Sequence, residues 1–446
     1  MGFKVVLLSA FFIVSLVVPL SLVPVVKSGV DIIRVPSDFP TIQEAIDAAS
    51  SGATILVSSG VYIENVNINK TLTLLGADKE DTVIDGSANS QGYSEAVGVT
   101  IAADNVRVNG FTVRNRWTAT TGIRLDHSAG SVVSGNIITK GGKYGIMLFH
   151  SNNNTISDNI VSHTGTSPGA NLNGEGIALS GSNNNTMQNN LITHSYSAGL
   201  SLLDSSANNR VLGNTIENNG FGFATVASGN NMIFHNNVLH FFGNPFVGMD
   251  SISQNNWSSD GKGNYWGDYT GLDDGSNGRI AGDGIGDTDL PWHGVDDYPL
   301  ITPANPIRIF WDNKAFPTSL ASNSTVSAFT FDHTNKKISF VATGAANTTG
   351  YFNASIPKTV LSGSWRIVLN QTDATSDSVI VENQTYTTIF LNYNHSSQNI
   401  ELIGTHVIPE YPTASIFLLA ILLLSLTAVI FVRRKPRTLR LCVQYS

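Results

Sequence analysis

Residues 122–127 read GIRLDH, and the related segments GIMLFH, GIALSG, GLSLLD and GFATVA begin at residues 145, 176, 199 and 222. Their glycines are 23, 31, 23 and 23 residues apart, and the longer interval contains the turn-rich insertion TGTSPGANLNGE at residues 164–175. A period of 23 is too short for paired helices, and apolar and polar residues alternate as they do in strands. We therefore expect three short strands per period, wound into coils that pair with the coils above and below.

Stacked coils place residues that are one period apart on top of each other. The apolar residue after each glycine then forms an internal column of Ile123, Ile146, Ile177, Leu200 and Phe223. A second ladder holds Asn136, Asn159, Asn190, Asn214 and Asn237, whose amides we expect to bond the next coil's backbone. The fold predicted is all-β, a right-handed single-stranded parallel β-helix. A leucine-rich-repeat horseshoe is the alternative, but its Leu-x-x-Leu-x-Leu-x-x-Asn pattern is absent from the sequence.

The β-helix is predicted to span residues 30–301 and to need caps at both ends. The sequence TIQE at residues 41–44 is a capping box, so we expect an amphipathic capping helix at residues 41–51. An acidic Gly/Asp-rich segment at residues 250–300 ends the repeats. Residues 302–409 alternate apolar and polar residues over short runs, which predicts a small β-sandwich-like stalk domain.

Both ends of the chain are apolar and basic. Residues 1–28 are predicted to be a signal peptide or signal anchor. Residues 413–432 are uncharged and long enough for a transmembrane helix, and the basic tail 433–446 is expected in the cytoplasm. These features predict a single-pass cell-membrane protein with its body outside the cell.

Composition argues against some classes of function. The chain has 25 basic and 33 acidic residues, a net charge of −8, which argues against nucleic-acid binding. Its single cysteine lies in the tail, so the body has no disulfide. Six Asn-x-Ser/Thr sequons in the predicted stalk are candidate glycosylation sites: Asn323, Asn347, Asn353, Asn370, Asn383 and Asn394.

Two stretches carry a family resemblance. FPTIQEAIDAASSGATILVSSGVYIENVNI at residues 39–68, followed by TLTLLGADKEDTVIDG at residues 71–86, resembles the opening of the pectin-lyase-like β-helix superfamily. GNYWGDYTGLDDGSNGRIAGDGIGDTDLPWHGVDDYPL at residues 263–300 is similar to NosD-like proteins, the periplasmic copper-binding type linked to copper-site maturation of nitrous-oxide reductase. The resemblance covers residues 33–301 and implies the fold and, as one function, copper handling. Residues 408–412, IPEYP, resemble the anchor junction of archaeal surface proteins.

The segment GVYIE at residues 60–64 matches the Gly-x-Tyr-x-Glu of pectin methylesterases. The catalytic elements of those enzymes are absent from the sequence, so we interpret the match as a feature of the fold.

One outward column is a candidate carbohydrate site. His127 and His150 occupy the same position in consecutive coils, and Asp204 follows in that column two coils on. Arg124 and Asp126 neighbour His127 and point outward. Polysaccharide lyases and esterases of the β-helix type keep their sites on this face. Arg124, Asp126 and His127 are therefore candidate catalytic residues, and His150 and Asp204 are candidate binding residues.

A second outward column contains Lys140, His163, His194 and Asn218. Neighbouring imidazoles about 5 Å apart are able to share copper or zinc. The candidate copper ligands are His127, His150, His163 and His194. The alternative is a hydrogen-bonded polar ladder on a solvated face.

Further candidates lie outside these columns. Glu175 and Asp158 are a possible glycosidase-type carboxylate pair. Trp257 and Trp266 either close the last coil by packing or offer stacking platforms to sugar rings. Residues 250–297 hold ten acidic and two basic residues, and carboxylates among glycines suit calcium. The candidate calcium ligands are Asp273, Asp274, Asp283, Asp287 and Asp289, although the EF-hand spacing is not met and a solvated acidic loop is the alternative.

The leading interpretation is an exported, membrane-anchored β-helix that presents a binding surface for glycans or surface-layer partners without catalysis of its own. The alternatives are a polysaccharide lyase, hydrolase or esterase, and a NosD-like copper-handling protein. Calcium is the favoured cofactor candidate, ahead of copper.

Overall fold

The structure, a computed structural model, describes residues 31–89, 96–115, 121–165, 174–241, 246–247, 254–311 and 314–407. The predicted signal segment 1–28, transmembrane helix 413–432 and basic tail 433–446 lie outside these residues. Within them the single α-helix, α1 (Ile42–Ala48), has seven residues. No helix in the described ranges is long and apolar enough to cross a membrane.

Three parallel sheets form the walls of a β-helix, as predicted. Sheet A consists of β1 (Ile32–Val35), β2 (Thr54–Val57), β5 (Thr73–Gly76), β8 (Arg107–Asn109), β11 (Val132–Ser134), β14 (Thr155–Ser157), β17 (Thr186–Gln188), β20 (Arg210–Leu212) and β23 (Met232–Phe234). Sheet B consists of β3 (Gly60–Tyr62), β6 (Thr82–Asp85), β9 (Thr112–Arg114), β12 (Ile137–Thr139), β15 (Ile160–Ser162), β18 (Leu191–Thr193), β21 (Thr215–Asn219), β24 (Asn237–Phe241) and β26 (Tyr265–Trp266). Sheet C consists of β4 (Val66–Ile68), β7 (Val97–Ile101), β10 (Thr121–Asp126), β13 (Tyr144–Phe149), β16 (Glu175–Ser180), β19 (Ala198–Leu203), β22 (Phe221–Thr225) and β25 (Phe246–Val247).

The predicted internal column is confirmed by the register of sheet C. Ile123 pairs with Ile146, which pairs with Ile177, and the column continues through Leu200 to Phe223. All five side chains are fully buried. The coils are therefore held by an apolar interior as well as by backbone hydrogen bonds.

The glycine that begins each repeat sits where no side chain fits. A Cβ at Gly145 would collide with Val161 of sheet B and would lie 2.6 Å from the carbonyl oxygen of Gly176. A Cβ at Gly176 would similarly collide with Ile192. The repeated glycine thus allows sheets B and C to approach each other closely at this corner.

Buried side-chain ladders connect the corners of successive coils. In the Asn ladder, the backbone N–H of Asn159 donates to Asn190 Oδ1 at 3.1 Å, and that of Asn190 donates to Asn214 Oδ1 at 2.9 Å. Sequence analysis missed two more ladders, at the corner between sheets C and A. One consists of Asn154, Asn185, Asn209, Asn231 and Asn255, and the other of Ser128, Ser151, Ser182, Ser206 and Ser228.

The prediction that Asn237 belongs to the Asn ladder is wrong. The backbone N–H of Asn214 donates to Asn236 Oδ1 at 3.0 Å, so Asn236, and not Asn237, continues the ladder. The coil from Asn214 to Asn236 is one residue shorter than the assumed repeat of 23 residues. Asn237 instead accepts a hydrogen bond from Ala304 N and donates to Asn305 O, both at 2.9 Å.

The N-terminal helix α1 lies inside the predicted range 41–51 and ends earlier, at Ala48. Thr41 Oγ1 accepts a hydrogen bond from Glu44 N at 3.2 Å, and α1 buries Ile42, Ala45 and Ile46. The carboxylate of Glu64 accepts hydrogen bonds from Ile42 N and Gln43 N, both at 2.9 Å. Glu64, the last residue of the GVYIE segment, therefore caps the helix, which supports a structural role for that segment.

Two five-stranded antiparallel sheets follow the β-helix. One has the order β27 (Ile307–Trp311), β28 (Lys314–Ser322), β31 (Thr349–Pro357), β36 (Tyr386–Asn394) and β35 (Val379–Glu382). The other has the order β29 (Thr325–Asp332), β30 (Lys337–Thr343), β37 (Ser397–Ile403), β33 (Arg366–Leu369) and β34 (Thr372–Asp373). A two-stranded sheet pairs β32 (Leu361–Ser362) with β38 (His406–Val407).

The antiparallel sheets pack on the outer face of sheet B and on the last coil. Ile137, Ile160 and Leu191, which point outward from sheet B, are buried under Phe310 and Ala315. Tyr265 OH donates to Val326 O at 2.9 Å, and Tyr265 belongs to the apolar core of the antiparallel unit. The unit predicted as a stalk is thus joined side by side to the β-helix.

Asn190→Ala tests the Asn ladder. The substitution leaves the buried backbone N–H of Asn159 without its acceptor, and a buried unsatisfied amide costs about 1–3 kcal/mol. We expect the free energy of unfolding, measured by urea denaturation, to fall by about 2–4 kcal/mol because the Asn159 side-chain amide loses the same acceptor. The control Asn184→Gly removes an exposed amide at a corner with φ 57°, where glycine is tolerated. Equal losses in the two variants would contradict a stabilising role for the ladder.

Glu64→Ala tests the helix cap. We expect a loss of about 1–2 kcal/mol in the free energy of unfolding, because two N–H groups at the start of α1 lose a charged acceptor. Glu44→Ala, which removes an exposed charge from the same helical turn, serves as the control and is expected to cost less than about 0.5 kcal/mol. Thermal unfolding of both variants is the measurement. A larger loss in Glu64→Ala indicates the lost hydrogen bonds as the cause, whereas equal losses would indicate the lost negative charge.

Candidate binding face on sheet C

The outer surface of sheet C brings three of the predicted residues together. Arg124 Nη2 lies 3.2 Å from Asp126 Oδ2, and Asp126 Oδ1 lies 2.6 Å from His127 Nδ1. The side chains keep exposed fractions of 24%, 31% and 68%, in that order. A guanidinium, a carboxylate and an imidazole thus form one connected polar group that solvent reaches.

An aromatic cluster adjoins this group on the next coil. The guanidinium of Arg124 lies 4.9 Å from the ring centroid of Phe149, and the His127 and His150 ring centroids are 5.3 Å apart. Phe149 is half-buried and packs on His150 at 4.3 Å. Charged side chains of one strand of sheet C therefore lie next to aromatic side chains of the neighbouring strand.

Asp204 is not brought to the histidines. The coil between them carries Gly181 at the same corner, and the His150 ring occupies the space where a side chain at that position would lie. Asp204 Oδ2 accepts a hydrogen bond from Ser180 Oγ at 2.6 Å. The column is thus divided into a histidine pair and a separate Ser180–Asp204 pair.

The backbone explains why these residue types occupy the corners. His127, His150 and Asp204 have φ of 53°, 45° and 53°, in the left-handed region. His163 and His194 adopt it at the next corner, with φ of 55° and 56°. Asn, Asp and His are enriched several-fold in this conformation, so the histidine columns have a conformational cause.

The proposed carboxylate pair has two different environments. Glu175 lies beside Ser201 and Lys143, and burial raises its pKa against the opposite influence of these neighbours. Asp158 faces Arg308 of the antiparallel unit, with 4.0 Å between Asp158 Oδ1 and Arg308 Nη2. Asp158 thus has a basic partner at ion-pair distance, whereas Glu175 Oε2 is buried without a hydrogen-bond partner among the described residues.

His163 and His194 form a stacked pair against the antiparallel unit. Their ring centroids are 4.9 Å apart with an angle of 11° between the planes, and Phe310 lies 5.9 and 6.0 Å from them. Desolvation lowers the pKa of both imidazoles, which favours their neutral form. Lone pairs of stacked rings lie in parallel planes and do not converge on an ion between the rings.

Trp257 and Trp266, predicted either to pack or to bind sugar rings, are core residues, so a role as exposed stacking platforms is wrong. Trp257 and Trp266 are 3% and 0% exposed and pack with Phe246 over the last coil. Trp266 Nε1 donates to Asp296 Oδ2 at 2.8 Å, and Asn264 N donates to the same oxygen at 2.8 Å. Asn264 Oδ1 in turn accepts from Asn236 N at 3.1 Å, so Asn264 continues the Asn ladder and Asp296 ends it, while the tryptophans close the coil.

The aspartates of the acidic segment are bonded to backbone amides. Asp273 accepts from Gly282 N at 2.6 Å and Gly284 N at 2.8 Å, and Asp287 accepts from Gly275 N at 2.6 Å. Asp274 and Asp283 accept from the N–H groups of residues 276 and 285, and Asp289 has φ 54°. The carboxylates thus order the Gly-rich turns. Calcium binding stays a prediction.

All six predicted glycosylation sites of the antiparallel unit are exposed: Asn323, Asn347, Asn353, Asn370, Asn383 and Asn394. Exposure is a condition for glycosylation, and its occurrence stays a prediction.

Comparison with known proteins decides the family. Residues 46–271, just over half of the 446-residue chain, match the family described as periplasmic copper-binding protein (NosD). The chain belongs to the NosD family. The chain is also similar to the cell surface glycoprotein of Methanothermus fervidus, at 36% identity over 103 residues, which are 22% of this chain and 16% of that protein. The match thus spans well under two thirds of that relative.

Two solved structures give further similarities. The polygalacturonase from Erwinia carotovora ssp. carotovora matches at 12% identity and a TM-score of 0.36, over 49% of this chain and 75% of that one. The Dettilon tailspike protein matches at 13% identity and a TM-score of 0.35, over 83% and 93% of the two chains.

The copper implied by the NosD description would meet few donor groups among the described residues. Each histidine pair offers two imidazoles, and Asp126 engages Nδ1 of His127. No group of three or more His, Cys, Asp or Glu able to hold a metal ion occurs in the described part of the chain. Copper binding by this NosD-family protein stays a prediction from sequence.

Sequence analysis missed Glu217, on the outer side of sheet B in this NosD-family chain. The side chain is 8% exposed and lines a cavity between the β-helix and the antiparallel unit. Burial raises the pKa of Glu217 to about 8. In the strand segment TIENN at residues 215–219, nothing in the sequence distinguishes Glu217 from a solvated strand residue. The strands that cover Glu217 come from about 90 residues further along the chain.

The raised pKa predicts a pH-dependent stability. An unfolded glutamate titrates near 4.5 and the folded one near 8, so between these pH values the folded state binds the extra proton. Stability therefore falls as the pH rises through this window, by about 1.4 kcal/mol per pH unit from this group. Glu217→Gln is neutral at every pH and should avoid this loss.

Urea denaturation of wild type and Glu217→Gln at pH 5 and pH 8 measures the effect. We expect the stability of the variant relative to wild type to increase between these pH values. Glu44→Gln, which changes an exposed glutamate, is the control and should show no such increase. If the difference in the free energy of unfolding between Glu217→Gln and wild type is the same at pH 5 and pH 8, the raised pKa of Glu217 is contradicted.

Proposed function

We propose that this NosD-family protein is an exported cell-surface protein that presents the outer face of sheet C as a non-catalytic glycan-binding surface. The observation that carries the proposal is the connected group of Arg124, Asp126 and His127 beside the half-buried ring of Phe149. A sugar offers hydroxyl groups around its rim and an apolar ring face. Charged hydrogen-bonding groups next to an aromatic ring complement both features.

The loop lengths support the choice of this face. The connections from sheet A to sheet B are two residues long in the central coils, whereas those from sheet B to sheet C reach 12 residues between β15 and β16 and 11 between β6 and β7. In repeat proteins, insertions gather on one side, which is often the binding side. These two longer connections lead directly into β7 and β16 of sheet C, at the strand ends opposite those that carry Asp126 and His127.

The partners of the polar groups support binding rather than catalysis. Asp126 is engaged by Arg124 and His127 together, and Asp158 is engaged by Arg308 of the antiparallel unit, whereas Glu175 is not part of either pair. A glycosidase needs two carboxylates on opposite sides of one bond. The net charge of −8 favours a neutral glycan over an acidic one, because like charges repel.

The location outside the cell is supported by names and by sequence. The matched family is described as periplasmic and the archaeal relative is a cell surface glycoprotein. The apolar segments at residues 1–28 and 413–432 and the six exposed sequons agree with export and anchoring. Anchoring by residues 413–432 is part of the proposal.

A glycan array with purified full-length protein tests the function. We expect binding to neutral glycans that Arg124→Gln weakens by about tenfold or more, which corresponds to ~1.4 kcal/mol. Arg210 provides a matched control, since its guanidinium lies 5.3 Å from the Phe234 ring on sheet A. Arg210→Gln should leave binding unchanged.

Two results would contradict the proposal. Equal loss of binding in the Arg124 and Arg210 variants would show that sheet C is not the binding face. Release of reducing ends or unsaturated sugars that Asp126→Ala abolishes would show an enzyme instead.

A further inference from the structure

A cavity of about 200 Å³ lies between sheet B and the antiparallel unit. Its polar lining comes from Glu217, Asn218 and His240 of the last coils and from Thr330 of β29. Its apolar lining comes from β27 and β29: Ile307, Ile309, Phe310, Phe329 and Phe331. The volume is below the ~300–1,000 Å³ of pockets for drug-sized ligands, so the cavity suits a smaller molecule.

The carboxyl group of Glu217 has no partner in this cavity. More than nine-tenths of the residue is buried, and it makes no hydrogen bond or ion pair with the residues that the structure describes. The residue lines the cavity, and its carboxyl oxygens are accessible from the cavity without a protein hydrogen-bond donor among the described residues. A buried polar group left in this state destabilises the fold, which makes it a candidate for ligand binding.

The charges around the cavity define what complements it. Glu217 and His240 are the titratable residues of the lining, and His240 is exposed at a corner with φ 40°. Arg308 lies on the lining strand β27 but faces Asp158 instead. Among the described lining residues, a cationic ligand thus meets no lysine or arginine and one carboxyl group without a protein partner.

We propose that this cavity binds a small organic cation, with an alkylammonium nitrogen paired to the Glu217 carboxylate and the carbon chain packed against the phenylalanines. Ammonium groups interact favourably with carboxylates and with aromatic faces, and Phe310, Phe329 and Phe331 supply three rings. A metal ion is a poorer match, because a hard cation needs six or more oxygen ligands and the wall supplies one carboxyl group. This site is separate from the proposed glycan face and does not depend on it.

Binding is linked to a proton. The unliganded Glu217 is largely protonated at neutral pH, since burial raises its pKa to about 8. Alkylammonium ions keep their charge, so pairing converts the carboxylic acid to a carboxylate and releases one proton to solvent. Affinity should therefore drop about tenfold for each pH unit below 8.

Isothermal titration of the full-length protein with n-butylammonium tests the proposal. We expect saturable binding of one ligand per chain at pH 9 and an affinity lower by about hundredfold at pH 6. Glu217→Gln should abolish binding, whereas the control Glu175→Gln, which changes the half-buried glutamate of sheet C, should retain it. Circular dichroism of each variant establishes that it is folded.

The neutral analogue 1-butanol separates charge recognition from apolar filling. Weaker binding of 1-butanol, without the pH dependence, supports the ion pair. Equal affinity of 1-butanol and butylammonium, retained binding in Glu217→Gln, or no saturable binding by folded wild type at pH 9 would each overturn the proposal.

Discussion

The constraint on which the structure depends is that each coil must hydrogen bond to the coils on either side in an unchanged register. Parallel strands satisfy this requirement along the three walls. At the corners the strands stop, and buried Asn and Ser side chains take over, as where Asn190 accepts from the backbone of Asn159 and donates to Ile156 O. The same requirement excludes a side chain at Gly145 and Gly176. The sequence repeats because every coil needs the same residues at the same positions to make these bonds.

Much of the fold follows from local periodicity. The Ile123 column and the Asn ladder were predictable because each repeats one kind of side chain at one position of the coil, and the capping helix was predictable from the TIQE capping box. The ladder failed at Asn237 because adjacent Asn236 and Asn237 give the same signal, and a coil one residue shorter selects the first. The role of Glu64 and the burial of Trp257 and Trp266 depend on contacts between distant residues, which periodicity does not encode.

The candidate sites show the same division. Arg124, Asp126 and His127 meet as predicted, because they are neighbours on one strand. Asp204 does not meet His150, because Gly181 intervenes. Glu217 gave no sequence signal, since its burial results from β27 and β29 folding back over sheet B. A repeat predicts which residues share a column, but not which columns a later segment covers.

The closed ends of the β-helix have a consequence beyond the single chain. The first coil is covered by α1, and the last is covered by Trp257, Trp266 and Asp296, which takes the bonds that a following asparagine would supply. A bare terminal coil would be a template for an identical coil from a second molecule, and such templating leads to fibres. The side chains that cover the two ends therefore work against such lengthwise templating.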